Sequence, residues 1–372
     1  MTIARVTSLE QWEGLAAPWA EIARENPFAS WEWLTTWWHH YGAGQQLCVL
    51  AVRDPSGNLI GAAPWYLACS AARGRVLKTL GSGEVCSDYL FVLCRAGHAA
   101  EVTRHLAAWL ADGHAVGDGF EWDAISWECV PASDTIAAAL VEECVAAGCH
   151  VQRQPAPSCW RIPLPATWPE YLASLSKSHR KQVQRGLRRL DDSRHAAWRV
   201  AVTQDELRRD MSILVDLHTR RWQSQGLAGV FGSSRFRRFL EEAVELLHKL
   251  GRVQVSVLEL DGKPAASDLH FVTPSTSFAY QGGIEPALAD ESPGRILTGL
   301  LIRDAIRLGR TGFDFLRGDE PYKPHFRAVP DPTHHIQIVP PRAGAQIRHG
   351  IWLVGATVRQ LVRSGISLTS GP

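Results

Sequence analysis

The chain has 372 residues, 45% hydrophobic and 21% charged, the balance of a globular protein long enough for two domains of ordinary size. A formal charge of +1 supplies no global field that would recruit nucleic acid or an anionic membrane. Met1 to Thr7 lacks the apolar core of a signal peptide, and Glu142 and Glu143 interrupt the most apolar stretch, Thr135 to Ala147, so no membrane insertion and a cytoplasmic location are expected.

The eight cysteines form no Cys-x-x-Cys pair and have no ligand-like histidine spacing. They read as buried thiols in a reducing compartment, and no metal is expected. Fifteen tryptophans call for large buried contacts or an aromatic-lined groove. Four of them (Trp31, Trp33, Trp37, Trp38) crowd into one helix from Asn26-Pro27-Phe28 to Tyr41, with Asn26 and Ser30 available as caps. Apolar residues cover most of its circumference, the mark of a buried helix.

Leu47 to Val52 and Leu59 to Leu67 read as a hairpin about the turn Asp54 to Asn58. Leu80-Gly81-Ser82-Gly83 is a loop, Tyr89 to Leu93 a strand, His98 to Ala111 a helix, and Glu121 to Trp127 another strand. Ser133 is placed to cap a helix ending at Ala147. Pro155-Ala156-Pro157 reads as a loop before a strand at Cys159 to Leu164. A strongly basic helix is expected from Pro169 to Leu190, its spacing setting Lys177, Lys181, Arg185 and Arg188 along one side. Such a stripe is either a solvated face or a phosphate-binding one. Trp198 to Val202 is a strand, and two helices follow at Asp205 to Gln225 and Ser233 to Leu250.

Val253 to Leu260 and Pro264 to Val272 form a second hairpin about Asp261-Gly262-Lys263. Its order repeats the first: a strand, an acidic glycine-containing turn, then Ala-Ala (Ala62-Ala63; Ala265-Ala266) in the returning strand. Trp122 to Ser126 likewise matches Phe313 to Arg317, and both offsets are about 200 residues, the pattern of two copies of one α/β unit. Between these landmarks, Thr276 to Gln281 reads as a strand, Gly282-Gly283 as a turn, and Ser292-Pro293-Gly294 as a helix start with Ser292 as cap. Exposed N–H groups at that start make a generic anion cradle. The second copy holds the denser polar chemistry: Asp268, His270, Tyr280, Asp314, Arg317, Glu320, Tyr322 and Lys323. One working site is therefore expected, built by the C-terminal copy and walled by the first. The division is 1–163, 164–345 and a helical tail, 346–372, with an amphipathic stretch near Ile347 to Val362 that either packs on the body or joins two copies into a homodimer.

Several of these segments carry a resemblance: Pro27 to Trp33, Ser87-Asp88-Tyr89, Ser176 to Arg180, Arg221-Trp222, Ala265-Ala266, Tyr280 to Gly283, Ser292-Pro293-Gly294 and Phe313 to Lys323. In order and spacing, over roughly Leu9 to Val339, they resemble the CelD/BcsL-type group (the BioF2-like acetyltransferase domain) of the GNAT superfamily, whose tandem arrangement is shared with FemABX peptidyl transferases. The resemblance implies an α/β chain of tandem GNAT folds, each a mixed, mostly antiparallel sheet flanked by helices. It implies transfer of an acyl group from acetyl-CoA or another acyl-CoA to an amine or hydroxyl on a small-molecule or saccharide acceptor. The donor would lie between Thr276 to Gln281 and Phe313 to Leu316, held by Gln281, Gly282, Gly283, Pro293, Gly294, Arg295 and Ile296. The acceptor would meet Asp88, Tyr89, Arg180, Trp222, Asp314, Arg317 and Lys323. In place of the superfamily's glycine-rich phosphate loop, this sequence has a single glycine in Ser292 to Leu297.

Direct transfer needs a base, an acid for the leaving thiolate and an oxyanion donor. Asp268 is the candidate base, with Glu320 second; Tyr280 or Tyr322 is the candidate acid, and N–H groups beside Tyr280 the oxyanion donors. Two other classes fit the same pattern. One is FemABX-like aminoacyl-tRNA-dependent transfer, with tRNA on the basic helix; the other is a non-catalytic partner-binding module of polysaccharide synthesis.

Overall fold

The computed structural model describes residues 1–90, 92–111, 120–192 and 195–352. The strands of the first half are β1 (Thr2–Val6), β2 (Gln46–Arg53), β3 (Leu59–Ser70), β4 (Gly74–Thr79), β5 (Leu93–Cys94) and β6 (Ala124–Pro131). Those of the second are β7 (His150–Pro163), β8 (Ala196–Val200), β9 (Val253–Leu260), β10 (Lys263–Val272), β11 (Thr276–Ile284), β12 (Gly312–Arg317) and β13 (Val329–Val339). The helices are α1 (Leu9–Glu13), α2 (Ala16–Ile22), α3 (Trp31–Tyr41), α4 (Ala99–Ala111), α5 (Thr135–Ala146), α6 (Trp168–Ser174), α7 (Lys177–Asp192), α8 (Gln204–Gln223), α9 (Ser234–Lys249) and α10 (Pro293–Arg307).

The main strands join in one sheet, in the order β1-β2-β3-β4-β6-β13-β7-β12-β11-β10-β9-β8. This order is symmetric about its centre. Each half is an antiparallel run of four strands followed by one parallel pairing, β4 with β6 and β11 with β12. The closing strands are exchanged. β7 follows the first copy in sequence but pairs with β12, whereas β13 follows the second and pairs with β6. The two copies thus share a continuous ladder, with β7 and β13 antiparallel at the seam. The expected two-copy α/β architecture is the observed one.

Apolar faces dictate three core layers. Helices α1 to α3, α8 and α9 bury Trp12, Trp19, Trp33, Phe236 and Phe239 between the two half-sheets. On the opposite faces, α4 and α5 cover the first copy, while α7 and α10 cover the second. Trp33 and Trp37 are buried as expected of an all-round apolar helix, and the Trp33 indole donates to Ser87 Oγ at 2.8 Å.

Several local expectations are corrected. Pro155 to Pro157 lies inside β7, where the ladder with β13 shifts register and Thr333 Oγ1 donates to the Pro157 carbonyl; a bulge tolerates a residue without an N–H. The strand expected from Tyr89 does not begin there: Tyr89 has φ +58°, and β5 is Leu93–Cys94. The cap of α5 is Asp134, accepting from the N–H groups of Ile136 and Ala137, while Ser133 donates to Asp331. The basic helix is two helices, because Leu175 is extended (ψ 153°) and ends α6. Cys69 and Cys86 are exposed thiols. No helix among the described residues is long and apolar enough to cross a membrane. A helix begins in the tail at 343–352, and the rest of the expected tail helix falls outside the described residues.

Candidate active site

The cavity of the second copy starts where its parallel ladder stops. β11 and β12 pair only over Thr276–Gly312, Ser277–Phe313 and Phe278–Asp314. Beyond that point β11 stays on β10, with Leu269, Asp268 and Ser267 opposite Gln281, Gly282 and Gly283. Meanwhile β12 leans to β7, and Leu316 turns through φ +57°. The splay opens into a cavity of ≈ 890 Å³ that reaches the start of α10.

Gly282 and Gly283 are strand residues, not the expected turn. A Cβ on Gly283 would stand 2.5 Å from the His218 backbone nitrogen, so its missing side chain is what lets α8 lie against β11. Gly282 faces Asp268, where a Cβ would come within 3.2 Å of Oδ2.

The start of α10 also differs from expectation. Ser292 sits in the left-handed region (φ 53°, ψ 50°) and makes no side-chain cap. Its carbonyl accepts from the N–H groups of Arg295 and Ile296. Pro293 has no N–H, so Gly294 supplies the remaining first-turn donor, and the amide cradle is smaller than the sequence suggested. Pro293, Gly294 and Arg295 line the cavity, whereas Ile296 is buried in the core against Gly186.

Of the candidate acid–base residues, Asp268, Tyr280, Glu320 and Tyr322 all line the cavity. Burial pushes the Asp268 carboxyl well above the usual carboxylate range, with Arg221 pulling against it. Its Oδ1 lies 3.4 Å from His270 Nε2, and burial drives that imidazole down to about 3, leaving it neutral. Tyr280 is otherwise engaged: its hydroxyl donates to the Val85 carbonyl at 2.6 Å, and its ring packs on Phe28, Trp33 and Phe271. Tyr322 stands edge-on to Phe315 and Phe326, its phenol held neutral by burial and by Glu320. Glu320 is half exposed and pairs with Lys323 Nζ at 2.8 Å.

Lys323, expected to touch substrate, lines the cavity, and its ammonium is tied into the loop that follows β12. Only 2% of its side chain is exposed, and Nζ donates to the carbonyls of Leu316, Arg317 and Gly318. Asp88, Tyr89 and Asp314 do not line the cavity; they join the copies behind it. Asp88 pairs with Arg317, which does line the cavity, and the Tyr89 hydroxyl donates to Asp314 Oδ2 at 2.8 Å. Arg180 lies half-buried outside the cavity, and Lys177, Lys181, Arg185 and Arg188 are exposed on α7. Trp222 lines the cavity beside Arg221, as do Gln281 and both glycines.

Sequence reasoning missed two histidines. His179 and His218 both line the cavity, both are more than nine-tenths buried, and burial first drives each down to about 4. Neither sits in a recognisable spacing motif, and only the packing of α7 and α8 onto the splay brings them there. Among the described residues, no group of three or more His, Cys, Asp or Glu is arranged to hold a metal.

Residues 177–324, which build most of this cavity, match the family described as Acetyltransferase (GNAT) domain. No curated protein matches the sequence. Among solved structures, the fold is similar to FemX at 12% identity, over 91% of this chain and 97% of that one, with a TM-score of 0.63. A conserved protein of unknown function from Bacteroides thetaiotaomicron aligns at 12% identity over 91% and 100%, with a TM-score of 0.53. The C-terminal domain of a designated lysylphosphatidylglycerol synthetase from Agrobacterium fabrum aligns at 13% over 93% and 96%, with a TM-score of 0.52. At such identities these are likenesses of fold. The chain therefore carries a GNAT-type acetyltransferase domain over residues 177–324, within a tandem α/β architecture similar to that of FemX.

Proposed function

We propose that the protein is an acyltransferase that moves an acetyl or longer acyl group from acyl-CoA directly to an amine or hydroxyl of a small-molecule or saccharide acceptor, in the manner of the CelD/BcsL-type group. One observation carries this reading: the cavity enters between splayed parallel strands and ends at a helix start, a slot for a narrow thiol arm with phosphates at its end. The acceptor nitrogen or oxygen attacks the thioester carbonyl, the C–S bond breaks, and CoA leaves as the thiol. Asp268 takes the acceptor proton, since a carboxyl raised above its usual range is a stronger base than an ordinary carboxylate. Tyr322 returns a proton to sulfur. Tyr280 serves as wall rather than acid, because its hydroxyl is spent on Val85.

Thermal-shift titration with acetyl-CoA, longer acyl-CoA and free CoA tests the reading. A ligand at 100 times its Kd stabilises by about 2.7 kcal/mol, a clear rise in Tm. No shift with any of them defeats it. One feature favours aminoacyl-tRNA as donor instead: the exposed Lys177, Lys181, Arg185 and Arg188 on α7, whose first turn borders the cavity. Steeply salt-dependent tRNA binding without a CoA shift would decide for that donor.

A further inference from the structure

The amide cradle at α10 offers one N–H, from Gly294, which is too little for a diphosphate. Beside it lies a cluster of basic side chains. His179, in the first turn of α7, is 6% exposed, and its Nε2 has no hydrogen-bond partner among the described residues. Its ring stacks on His325 at 5.9 Å with 26° between planes, and meets Phe326 edge-on at 4.7 Å. Arg295 from α10 and Arg327 from the following loop both act on it. Every charged group that faces this imidazole is basic. Arg295 has no carboxylate partner among the described residues, and Arg327 Nε is committed to the Ser174 carbonyl. His179, His325, Gly294 and Arg295 line one end of the same cavity.

A buried, unpartnered nitrogen beside basic groups is costly unless something negative completes the cluster. We infer that His179, Arg295 and His325 form a phosphate site built from side chains, which does the work that a glycine-rich amide loop would otherwise do. The inference deepens the acyl-CoA reading and rests on it for the source of the phosphates. A phosphorylated acceptor carries the same chemistry, so the test must separate the two.

Isothermal titration of the full chain with CoA, inorganic pyrophosphate and pantetheine, which lacks the nucleotide phosphates, makes that separation. The variants are Arg295→Gln and His179→Asn, with Lys249→Gln at the exposed end of α9 as control; Tm without ligand checks folding. Arg295→Gln is expected to weaken CoA and pyrophosphate by at least about tenfold, and His179→Asn by several-fold, because each removes a charge-assisted or buried donor. Pantetheine affinity and the control should not change. If both variants bind CoA and pyrophosphate as the wild type does, the inference is overturned while the acyl-CoA reading stands. If wild-type protein binds pyrophosphate, loses it in Arg295→Gln and ignores CoA, the phosphate site stands and the acyl-CoA donor falls. If wild-type protein binds neither, the phosphate site is overturned. Should His179→Asn fail to fold, Arg295→Gln decides alone.

Discussion

The carboxylate of Asp88 accepts both the backbone N–H of Arg317, at 3.0 Å, and its Nε, at 2.5 Å, across 229 residues of sequence. Arg317 Nη2 adds a bond to the Ser87 carbonyl. Burial works to discharge both partners, yet Asp88 holds the guanidinium above its ordinary value, so Arg317 stays charged. The first copy thereby fixes a wall of the cavity in the second. Asp88→Ala would strand a buried cation, a loss of about 3–5 kcal/mol by urea denaturation. Asp88→Asn keeps one acceptor and should cost less. Because Arg317 lines the cavity, kcat/KM in Asp88→Asn should drop by more than the folded fraction explains.

Tyr89 and Asp314 form the neighbouring tie. Burial raises Asp314 to about 6, even though Leu316 N–H and the Tyr89 hydroxyl both donate to it and pull it down. A carboxyl raised in the folded state binds its proton more tightly there. Its contribution to stability is therefore full below the unfolded value, near 4, and is lost as pH climbs through about 6. Tyr89→Phe removes a donor to the charged form. It should cost about 1–3 kcal/mol at pH 7 and move the Asp314 titration higher, readable by carboxyl ¹³C NMR. An unmoved titration would show that the hydroxyl does not act on Asp314.

Much of this frame was legible in the sequence for a definite reason. Both hairpins announce themselves through alternation and turn chemistry, and their recurrence at a fixed offset exposes the duplication. The exchange of β7 and β13 left no such trace, since strand partners at that separation are chosen by the sheet and not by local pattern. The misread positions are ones where tertiary contact overrides local preference. Gly282-Gly283 resembles a turn but is smooth strand beneath α8, and Ser292 resembles a cap but takes a left-handed turn. Asp268, Tyr322 and Arg295 were placed at the site because polar residues at strand and helix ends are visible in a sequence. His179 and His218 were not, because only helix packing turns them inward. Lys323 shows the converse, a charged loop residue whose four partners make it a fastener.

Gly283 offers a test of that packing. A Cβ there would meet the His218 nitrogen at 2.5 Å and Leu217 Cβ at 2.8 Å, and helix backbone cannot yield as a side-chain tip can. Gly283→Ala should destabilise by about 1–3 kcal/mol or more, as overpacking does, and displace α8 with its cavity residues His218, Arg221 and Trp222. Gly294→Ala is the contrast. Its Cβ would meet only Ile284 Cγ2 at 3.2 Å, a contact a side chain can relieve, so its Tm should change little.

Asp268 decides the chemistry. Burial raises its carboxyl well above the ordinary range and Arg221 opposes that, while neutral His270 lies 3.4 Å away. As general base it must be ionised, so kcat/KM should fall as pH drops through its folded pKa, and that limb should lie above the usual carboxylate range. Asp268→Asn removes the base and should cost about 10²–10⁴ in kcat while erasing the limb. Stability should move the opposite way. A carboxyl raised in the folded state costs stability once pH exceeds that value, so the asparagine variant should be at least as stable as the wild type at alkaline pH and gain less on acidification. Full turnover with an intact acidic limb in Asp268→Asn would remove this residue from the mechanism and leave Glu320, half exposed and tied to Lys323, as the remaining carboxylate among the candidates.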